Sequence, residues 1–311
     1  MRGRCLNMVH KLAREDERIV FLGSDLGFGT LKQFREELPE RFIMEGINEA
    51  HAVGMAAGLA FDGRIVYVNT IATFLTRRSF EQVALDLCLH KANVRLIGNG
   101  GGMVYAPLGS THLAIEDIAI FRALPNMAIV AVADAEEMER MMPQSVDWPG
   151  PLYIRLAKGY DPIVSDPAIP FVLGKGMEIC RGGDVLIVAT GVTLGPAKEA
   201  AKELAALGIS CGILHMHTVK PFDTALFLDM AQSPAGGVRA VISVEEHTIL
   251  GGLGSAVAEI LAETPFARQP RFKRLGIPDV FPDKYGTQNQ LMARYGIDAK
   301  TIVSTAQALL A

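Results

Sequence analysis

Short, uniformly apolar runs rich in β-branched residues alternate along the chain with runs of helical periodicity. In the first half this pattern predicts strands over 19–25, 41–47, 64–71, 94–100, 128–134 and 152–157, and helices over 30–38, 48–61, 76–91, 114–124 and 135–143. Strands that lack polar alternation and are separated by helices are typical of a parallel sheet covered on both faces. The first half is therefore predicted to be an α/β domain.

A segment over 158–176 interrupts this rhythm with three prolines and three glycines, a composition typical of a linker. The alternation then resumes, with strands predicted over 184–191, 209–217 and 238–246, and helices over 195–207, 223–232, 252–263 and 299–310. The two halves share a class but show no repeat that aligns. We therefore predict two α/β domains, 1–160 and 176–311, joined by a linker over 161–175.

The composition adds a prediction about the surface. The 311-residue chain is 50% hydrophobic and 21% charged, with a mean hydropathy of +0.25. So apolar a chain is expected to cover part of its surface with a partner, as obligate interfaces do. A net charge of −4 and a pI near 6.0 argue against a nucleic-acid partner.

Several classes of protein are excluded by what the sequence lacks. Its four cysteines (Cys5, Cys88, Cys180 and Cys211) are scattered through apolar runs, which argues against a disulfide framework and a zinc site. The first twenty residues lack the apolar core and cleavage site of a signal peptide. No window approaches 18 uninterrupted apolar residues. We therefore expect a cytoplasmic protein without a membrane span.

Glu49 is the first candidate for chemistry, because it opens the predicted helix of GINEAHAVGMAAGLA (46–60) among mostly small, apolar residues. One interpretation is a carboxylate placed where the helix dipole favours it. The other is a carboxylate on a helix that packs closely against another chain, desolvated enough to share a proton with a ligand nitrogen. His51 lies roughly 200° around the helix from Glu49 and is expected to be structural or at an interface.

The same segment, followed by TFLTRRSFEQV (73–83) and STH (110–112), resembles the pyrimidine-binding domain of the transketolase family. The motifs HTVKPFD (217–223), VEEHTILGGLG (244–254) and GIPDVFPDKYGTQNQL (276–291) resemble the C-terminal domain of that family. The resemblance covers nearly the whole chain in the right order. It implies thiamine diphosphate as the cofactor, which supplies carbanion chemistry when bound.

The resemblance also implies roles for individual residues. It places the family's catalytic glutamate on Glu49, where the carboxylic acid would hydrogen-bond the N1′ nitrogen of the cofactor pyrimidine. It places the aromatic ring that stacks on the pyrimidine on Phe74, with Ile71 and Arg77 as further cofactor contacts. His112 matches the active-site histidine, which suits general acid–base work or a bond to a substrate oxygen.

On the substrate side the match is incomplete. Arg155 matches a phosphate-binding arginine of the family, and Lys158 stands where a related branch has another arginine. Leu108, however, replaces an acidic residue that contacts a substrate hydroxyl, and Gly100 falls where the family has a phosphate-contacting histidine. A site built for a hydroxyl and a phosphate would keep those polar partners. The sequence therefore leaves the donor and the acceptor open.

The chain lacks the family's diphosphate-binding signature, GDG followed downstream by asparagine. We therefore expect it to supply the pyrimidine half of a shared site and no metal ligands. An N-terminal subunit would hold the diphosphate through Mg²⁺ in an α2β2 heterotetramer, with the helix over 49–60 among the contacts between subunits. The prediction is a split transketolase that moves a two-carbon ketol unit. Open alternatives are an E1 β-like subunit serving a lipoyl or carrier protein, a deoxyxylulose-phosphate-synthase-like enzyme and a catalytically silent scaffold.

Overall fold

The computed structural model describes residues 1–24, 31–157, 161–232 and 236–311. The strands are β1 (Ile19–Gly23), β2 (Phe42–Met44), β3 (Ile65–Ile71), β4 (Val94–Asn99), β5 (Ala128–Ala131), β6 (Leu152–Leu156), β7 (Met177–Cys180), β8 (Val185–Ala189), β9 (Cys211–His215), β10 (Thr218–Lys220), β11 (Ala240–Thr248) and β12 (Arg271–Ile277). The helices are α1 (Arg2–Glu15), α2 (Lys32–Glu37), α3 (Glu49–Phe61), α4 (Ala72–Arg77), α5 (Phe80–Gln82), a π-helix over Val83–Leu89, α6 (Asp117–Arg122), α7 (Ala135–Val146), α8 (Leu194–Ala206), α9 (Thr224–Gln232), α10 (Leu253–Glu263), α11 (Gln288–Arg294) and α12 (Ala299–Leu310). In the described parts of the chain, no helix is long and apolar enough to cross a membrane.

The elements form two sheets. The first has the order β10-β5-β6-β4-β3-β1-β2 and is parallel except for β10. The second has the order β12-β11-β8-β9-β7 and is parallel except for β7 at its edge. Because β10 follows β9 in sequence yet pairs with β5, the second half of the chain completes the sheet of the first. The predicted α/β class is confirmed.

The continuous apolar runs arise because both faces of the central strands are covered. Phe21 and Tyr67 point into a core that includes α1 and α7, whereas Leu22 and Val68 point into a core that includes α3. Alternate residues of one strand thus enter different cores, and neither face is left for polar side chains.

The predicted helix over 76–91 differs most from the structure. Helix α4 already begins at Ala72, and α5 and the π-helix follow as separate pieces. The hydroxyl of Thr76 donates to the carbonyl of Ala72 at 3.0 Å, and that of Ser79 donates to Leu75 at 2.6 Å. Such side-chain bonds compete with the regular helical pattern. The break leaves α4 as a short helix of its own, which ends at Arg77 with Arg78 as its C-cap residue.

Asp134 ties α7 to the segment that joins the two halves. Its carboxylate caps the helix by accepting the N–H groups of Glu136 at 3.0 Å and Glu137 at 2.9 Å. It also accepts the N–H groups of Val164 at 2.8 Å and Ser165 at 2.6 Å, and the Ser165 hydroxyl at 2.9 Å. Burial raises the pKa of Asp134, but these hydrogen bonds outweigh it and the pKa is lowered.

We predict that Asp134→Ala lowers the free energy of unfolding by about 2–4 kcal/mol at neutral pH, because it leaves several buried donors unpaired. A carboxyl with a lowered folded-state pKa stabilises above its unfolded-state pKa, and that stabilisation is lost as the pH falls through the folded-state pKa. The loss should therefore shrink in acid. Urea unfolding at pH 7 and at about pH 2.5, which lies well below the ordinary aspartate pKa of about 3.9, measures it.

Asp298→Ala is the matched control, because Asp298 also caps a helix but accepts a single N–H group, from Thr301 at 2.7 Å. Its loss should be about 1 kcal/mol. Equal losses for the two variants, or an Asp134→Ala loss that does not vary with pH, would contradict the assignment.

Candidate active site

Glu49 lies at the first position of α3, beside the edge where the parallel strands β1, β3 and β4 end. Its side chain is only 2% exposed. One carboxylate oxygen lies 3.4 Å from the hydroxyl of Thr70, which accepts a 2.8 Å bond from Ser24. The other oxygen accepts a 2.5 Å bond from Nη1 of Arg78. In open α/β sheets, ligands bind outside the carboxyl ends of the strands, and Glu49 is placed there.

Three residues predicted for the site lie in one row. The guanidinium carbon of Arg78 stands 4.7 Å from the centre of the Phe74 ring. The Phe74 ring also meets the ring of His112 edge-on, with centroids 5.2 Å apart and planes at 68°. Nδ1 of His112 lies 2.9 Å from the Thr111 hydroxyl. Arg78 thus joins Glu49 to Phe74, and Phe74 joins Arg78 to His112.

Arg78 was not among the predicted site residues, and the structure gives the reason. Phe74 and Arg78 are four residues apart, so a helix starting at Ala72 puts them on one face. A helix predicted to start at residue 76 hides that relation. Arg77 turns instead toward the loop of His112, where it bonds the carboxylate of Glu116 and the carbonyl of Leu113. Ile71 immediately precedes α4 and is half-buried.

Arg155 is committed to the contact between the two halves of the chain. Its Nε and Nη2 donate to the carboxylate of Asp117 at 2.7 and 3.2 Å, and Nη2 also donates to the carbonyls of Ala114 and Glu246. The Tyr153 hydroxyl donates to the same carboxylate at 2.7 Å. Burial lowers the pKa of Arg155, but Asp117 more than offsets this and the pKa is raised. These donors are engaged within the chain, so the role of Arg155 toward a substrate stays a prediction, and Lys158 lies outside the described residues.

Glu246 lies beside this ion pair on β11. Its carboxylate accepts the N–H of Met103 at 2.7 Å and is bonded at both oxygens by the amide of Gln288 at 3.0 Å. Burial raises the pKa of Glu246 to about 7, although Arg155 acts in the opposite direction. At Gly102, where φ is +68°, a Cβ would overlap the carboxyl group of Glu246. The three glycines over 100–102, which follow β4, therefore leave room for the Glu246 side chain.

Gly100 and Leu108 are the two positions that depart from the family's substrate pattern, and the structure shows what surrounds each of them. At Gly100, with φ +73°, the ring of Tyr105 fills the space that a side chain would take. Leu108 is 52% exposed on the loop that carries His112. The second half of the chain borders this loop, since the Ser110 hydroxyl donates to the carbonyl of Pro282.

Helix α3 is divided between an inner and an outer face. Ala52, Val53 and Ala56 belong to the core between the helix and the first sheet. The outer positions are Gly54, where a Cβ would come no closer than 3.9 Å to any neighbour, and Gly58, where it would meet nothing within 4 Å. Ala52 and Ala56 therefore pack within this chain, and the two glycines leave the outer face flat.

The protein-family model of the transketolase pyrimidine-binding domain matches residues 1–160 of the chain. The family model of the transketolase C-terminal domain matches residues 174–302. The chain belongs to the transketolase family. The resemblance found in the sequence is thereby confirmed, as is the organisation into two α/β domains. Membership of this family implies the use of thiamine diphosphate.

Similar transketolase-family proteins include subunits of nearly the same length. The chain is 38% identical to a subunit of the apulose-4-phosphate transketolase of Phocaeicola vulgatus, over 95% of this chain and 93% of that protein. It is 36% identical to the 6-deoxy-6-sulfo-D-fructose transketolase subunit SqwH of a Clostridium species, over 98% and 93%. A solved split-gene transketolase, described as an inactive beta4 tetramer, matches with a TM-score of 0.89 and 37% identity, over 99% and 97%.

The residues around Glu49 fit the aminopyrimidine half of thiamine diphosphate. They offer a buried carboxylate for a ring nitrogen and a half-exposed aromatic ring, Phe74, for stacking. Next to Phe74, the Thr73 hydroxyl is buried and has no hydrogen-bond partner in the described part of the chain. Among the described residues, no three His, Cys, Asp or Glu side chains converge as they would around a metal ion.

We predict that Glu246→Gln is more stable than the wild type at pH 8, by about 2 kcal/mol. A carboxyl whose folded-state pKa is raised to about 7 destabilises the fold as the pH climbs past its unfolded value, because ionising it in place is costly. The amide avoids that cost, so the difference should fall to about 1 kcal/mol at pH 5 and vanish near pH 4. Urea unfolding across this range tests it, and a difference that stays constant from pH 5 to pH 8 would contradict it.

Proposed function

We propose that this chain is the C-terminal subunit of a split, thiamine-diphosphate-dependent transketolase that transfers a two-carbon ketol unit. The observation that carries the proposal is the placement of Glu49, a buried carboxylate at the carboxyl edge of the sheet, in one row with Phe74 and His112. Two relatives of nearly the same length are themselves transketolase subunits, which supports the class of reaction.

Each residue of the row has a part in this proposal. Thiamine diphosphate, when bound, supplies the carbanion chemistry. Glu49 holds a proton against the pyrimidine nitrogen from a site that excludes water, and the Thr70 hydroxyl at 3.4 Å restrains its second oxygen. Phe74 provides the face on which the pyrimidine lies. His112, at the edge of that ring and half-buried, exchanges a proton with a substrate oxygen.

Glu49→Gln should lower kcat of the assembled enzyme by about 10²–10⁴-fold, because the amide cannot exchange the proton that the carboxylic acid shares. The enzyme should still assemble, since the side chain keeps its size. Steady-state turnover with ketose donors, together with size-exclusion chromatography, measures both effects.

Glu45→Gln is the control. Glu45 lies nearby in the chain but is partly exposed and faces His51 at 3.4 Å, outside the row of Glu49. Its turnover should match the wild type. Near-normal turnover by Glu49→Gln would overturn the proposed mechanism.

The proposal includes a second subunit that holds the diphosphate and Mg²⁺ in an α2β2 assembly. A surface for it is available on the outer face of α3 and the adjoining π-helix, where Gly58 is exposed and large apolar side chains reach solvent. Phe61 is 60% exposed, Leu85 49% and Leu89 66%. Exposed apolar side chains on neighbouring helices mark an interaction surface.

Gly58→Leu should weaken assembly by tenfold or more, which is about 1.4 kcal/mol, because the added side chain stands where another backbone approaches. The isolated chain should keep or gain up to about 1 kcal/mol of stability, since leucine favours helices over glycine. Analytical ultracentrifugation with the diphosphate-binding subunit and thermal unfolding of the isolated chain give the two readings.

Gly3→Leu is the matched control, because Gly3 also lies in a helix with nothing within 4 Å of its Cβ position. It should assemble as the wild type does. Normal assembly by Gly58→Leu would contradict the surface, and tight Mg²⁺-dependent binding of thiamine diphosphate by the isolated chain would contradict the shared site.

A further inference from the structure

We propose that Arg78 is a placeholder for the cofactor pyrimidine, a positioning residue that occupies the space between Glu49 and Phe74 and swings out when the ring enters. The inference rests on the proposed function, because it takes Glu49 and Phe74 as the pyrimidine contacts. It adds a residue that controls access to them.

The geometry of one side chain carries the proposal. Nη1 of Arg78 bonds Glu49 at 2.5 Å, while its guanidinium carbon lies 4.7 Å from the centre of the Phe74 ring. A guanidinium group is planar and presents N–H donors along its edge, and it packs over aromatic faces. An aminopyrimidine bonded to Glu49 and stacked on Phe74 would need the same volume. The two groups therefore exclude one another.

Exposure shows which of the partners is free to move. The Glu49 side chain is 2% exposed, whereas that of Arg78 is 48% exposed. Arg78 is the C-cap residue of α4 and stands between the end of that helix at Arg77 and Ser79. Its guanidinium can thus turn into water without disturbing the core. While it stays, it provides the opposite charge that a buried carboxylate requires when no ligand is bound.

A side chain that occupies the site lowers the apparent affinity for the pyrimidine by a measurable factor. When the competent state is a fraction of the molecules, the apparent affinity falls by that fraction. If Arg78 covers the site in about nine molecules of ten, removing it tightens binding of the pyrimidine about tenfold.

The test titrates the full-length chain with thiamine, whose pyrimidine needs no diphosphate site, and with the neutral alcohol of its aminopyrimidine half. Binding is followed by NMR line shapes. Arg78→Ala and Arg78→Gln should each bind both probes about tenfold more tightly than the wild type. The neutral probe separates vacated space from loss of a positive charge. If Arg78→Ala fails to fold, the longer Arg78→Gln side chain decides the question.

Adding guanidinium chloride at millimolar concentration to the binding titration distinguishes a placeholder from a merely structural role of Arg78. It should refill the vacated space and weaken binding to Arg78→Ala, with no effect on the wild type. Arg4→Ala is the control, because Arg4 is 49% exposed and paired with Glu139 on the surface. It should bind both probes as the wild type does.

Glu49→Gln separates this inference from the function on which it rests. If Glu49→Gln weakens binding of the probes but the Arg78 variants bind no more tightly, or bind more weakly, the placeholder is overturned and the site stands. If Glu49→Gln binds the probes as the wild type does, the pyrimidine site itself is overturned.

Discussion

The fold depends on a buried ion pair between Asp117 and Arg155, whose side chains are 0% and 7% exposed. Asp117 begins α6, at the end of the loop that carries His112, and Arg155 lies on β6 in the first sheet. Arg155 also bonds the carbonyls of Ala114 in that loop and of Glu246 in the second half. One side chain thus fixes a sheet, the loop of His112 and the neighbouring domain together. A buried charge without its partner is costly, so these pieces hold one arrangement.

A second buried cluster secures the same contact further from the site. Glu137 on α7 lies 3.1 Å from Nε2 of His215, and His217 stacks on Phe171 with centroids 4.0 Å apart. Burial raises the pKa of Glu137, but His215 and the neighbouring donors lower it overall. Burial and the adjacent His215 lower the pKa of His217 to about 3, so its ring is neutral at ordinary pH. The cluster therefore carries no positive charge on His217, and Glu137 is paired with His215.

From the sequence one could predict the strands and helices that continuous apolar runs and local motifs specify. The parallel strands of the first sheet and the helix of Glu49 follow from the sequence pattern, because strands buried on both faces carry no polar positions. The pattern missed β7 and β10, which are four and three residues long and pair antiparallel at sheet edges, too short for a period to register. It also missed α1, whose buried residues pack against α7, far away in the chain. Long-range packing decided these elements.

At the candidate site, the roles suggested by the motifs and the geometry of the structure agree for some residues and differ for others. Glu49, Phe74 and His112 come from three separate segments, and the structure brings them into one row, which spacing alone does not indicate. The resemblance assigned Arg155 to a substrate phosphate, and its sequence context cannot show that Asp117, 38 residues away, pairs with it. Arg78 went unnoticed for a local reason, since its relation to Phe74 depends on where one short helix begins. Charged residues are thus the hardest to assign from sequence, because their role is set by partners distant in the chain.

Helix α3 would connect the proposed chemistry to the proposed contact with another subunit. Glu49 stands at its first residue, its inner face packs on the sheet, and Gly54 and Gly58 lie along its outer face. Because a helix moves as a rigid body, a chain that packs against those glycines also sets the position of the carboxylate. In the proposed split enzyme, assembly and cofactor activation would then share one element. The apolar excess of the sequence has a place in such an enzyme, since the apolar side chains exposed beside α3 would be covered by the subunit that completes the site.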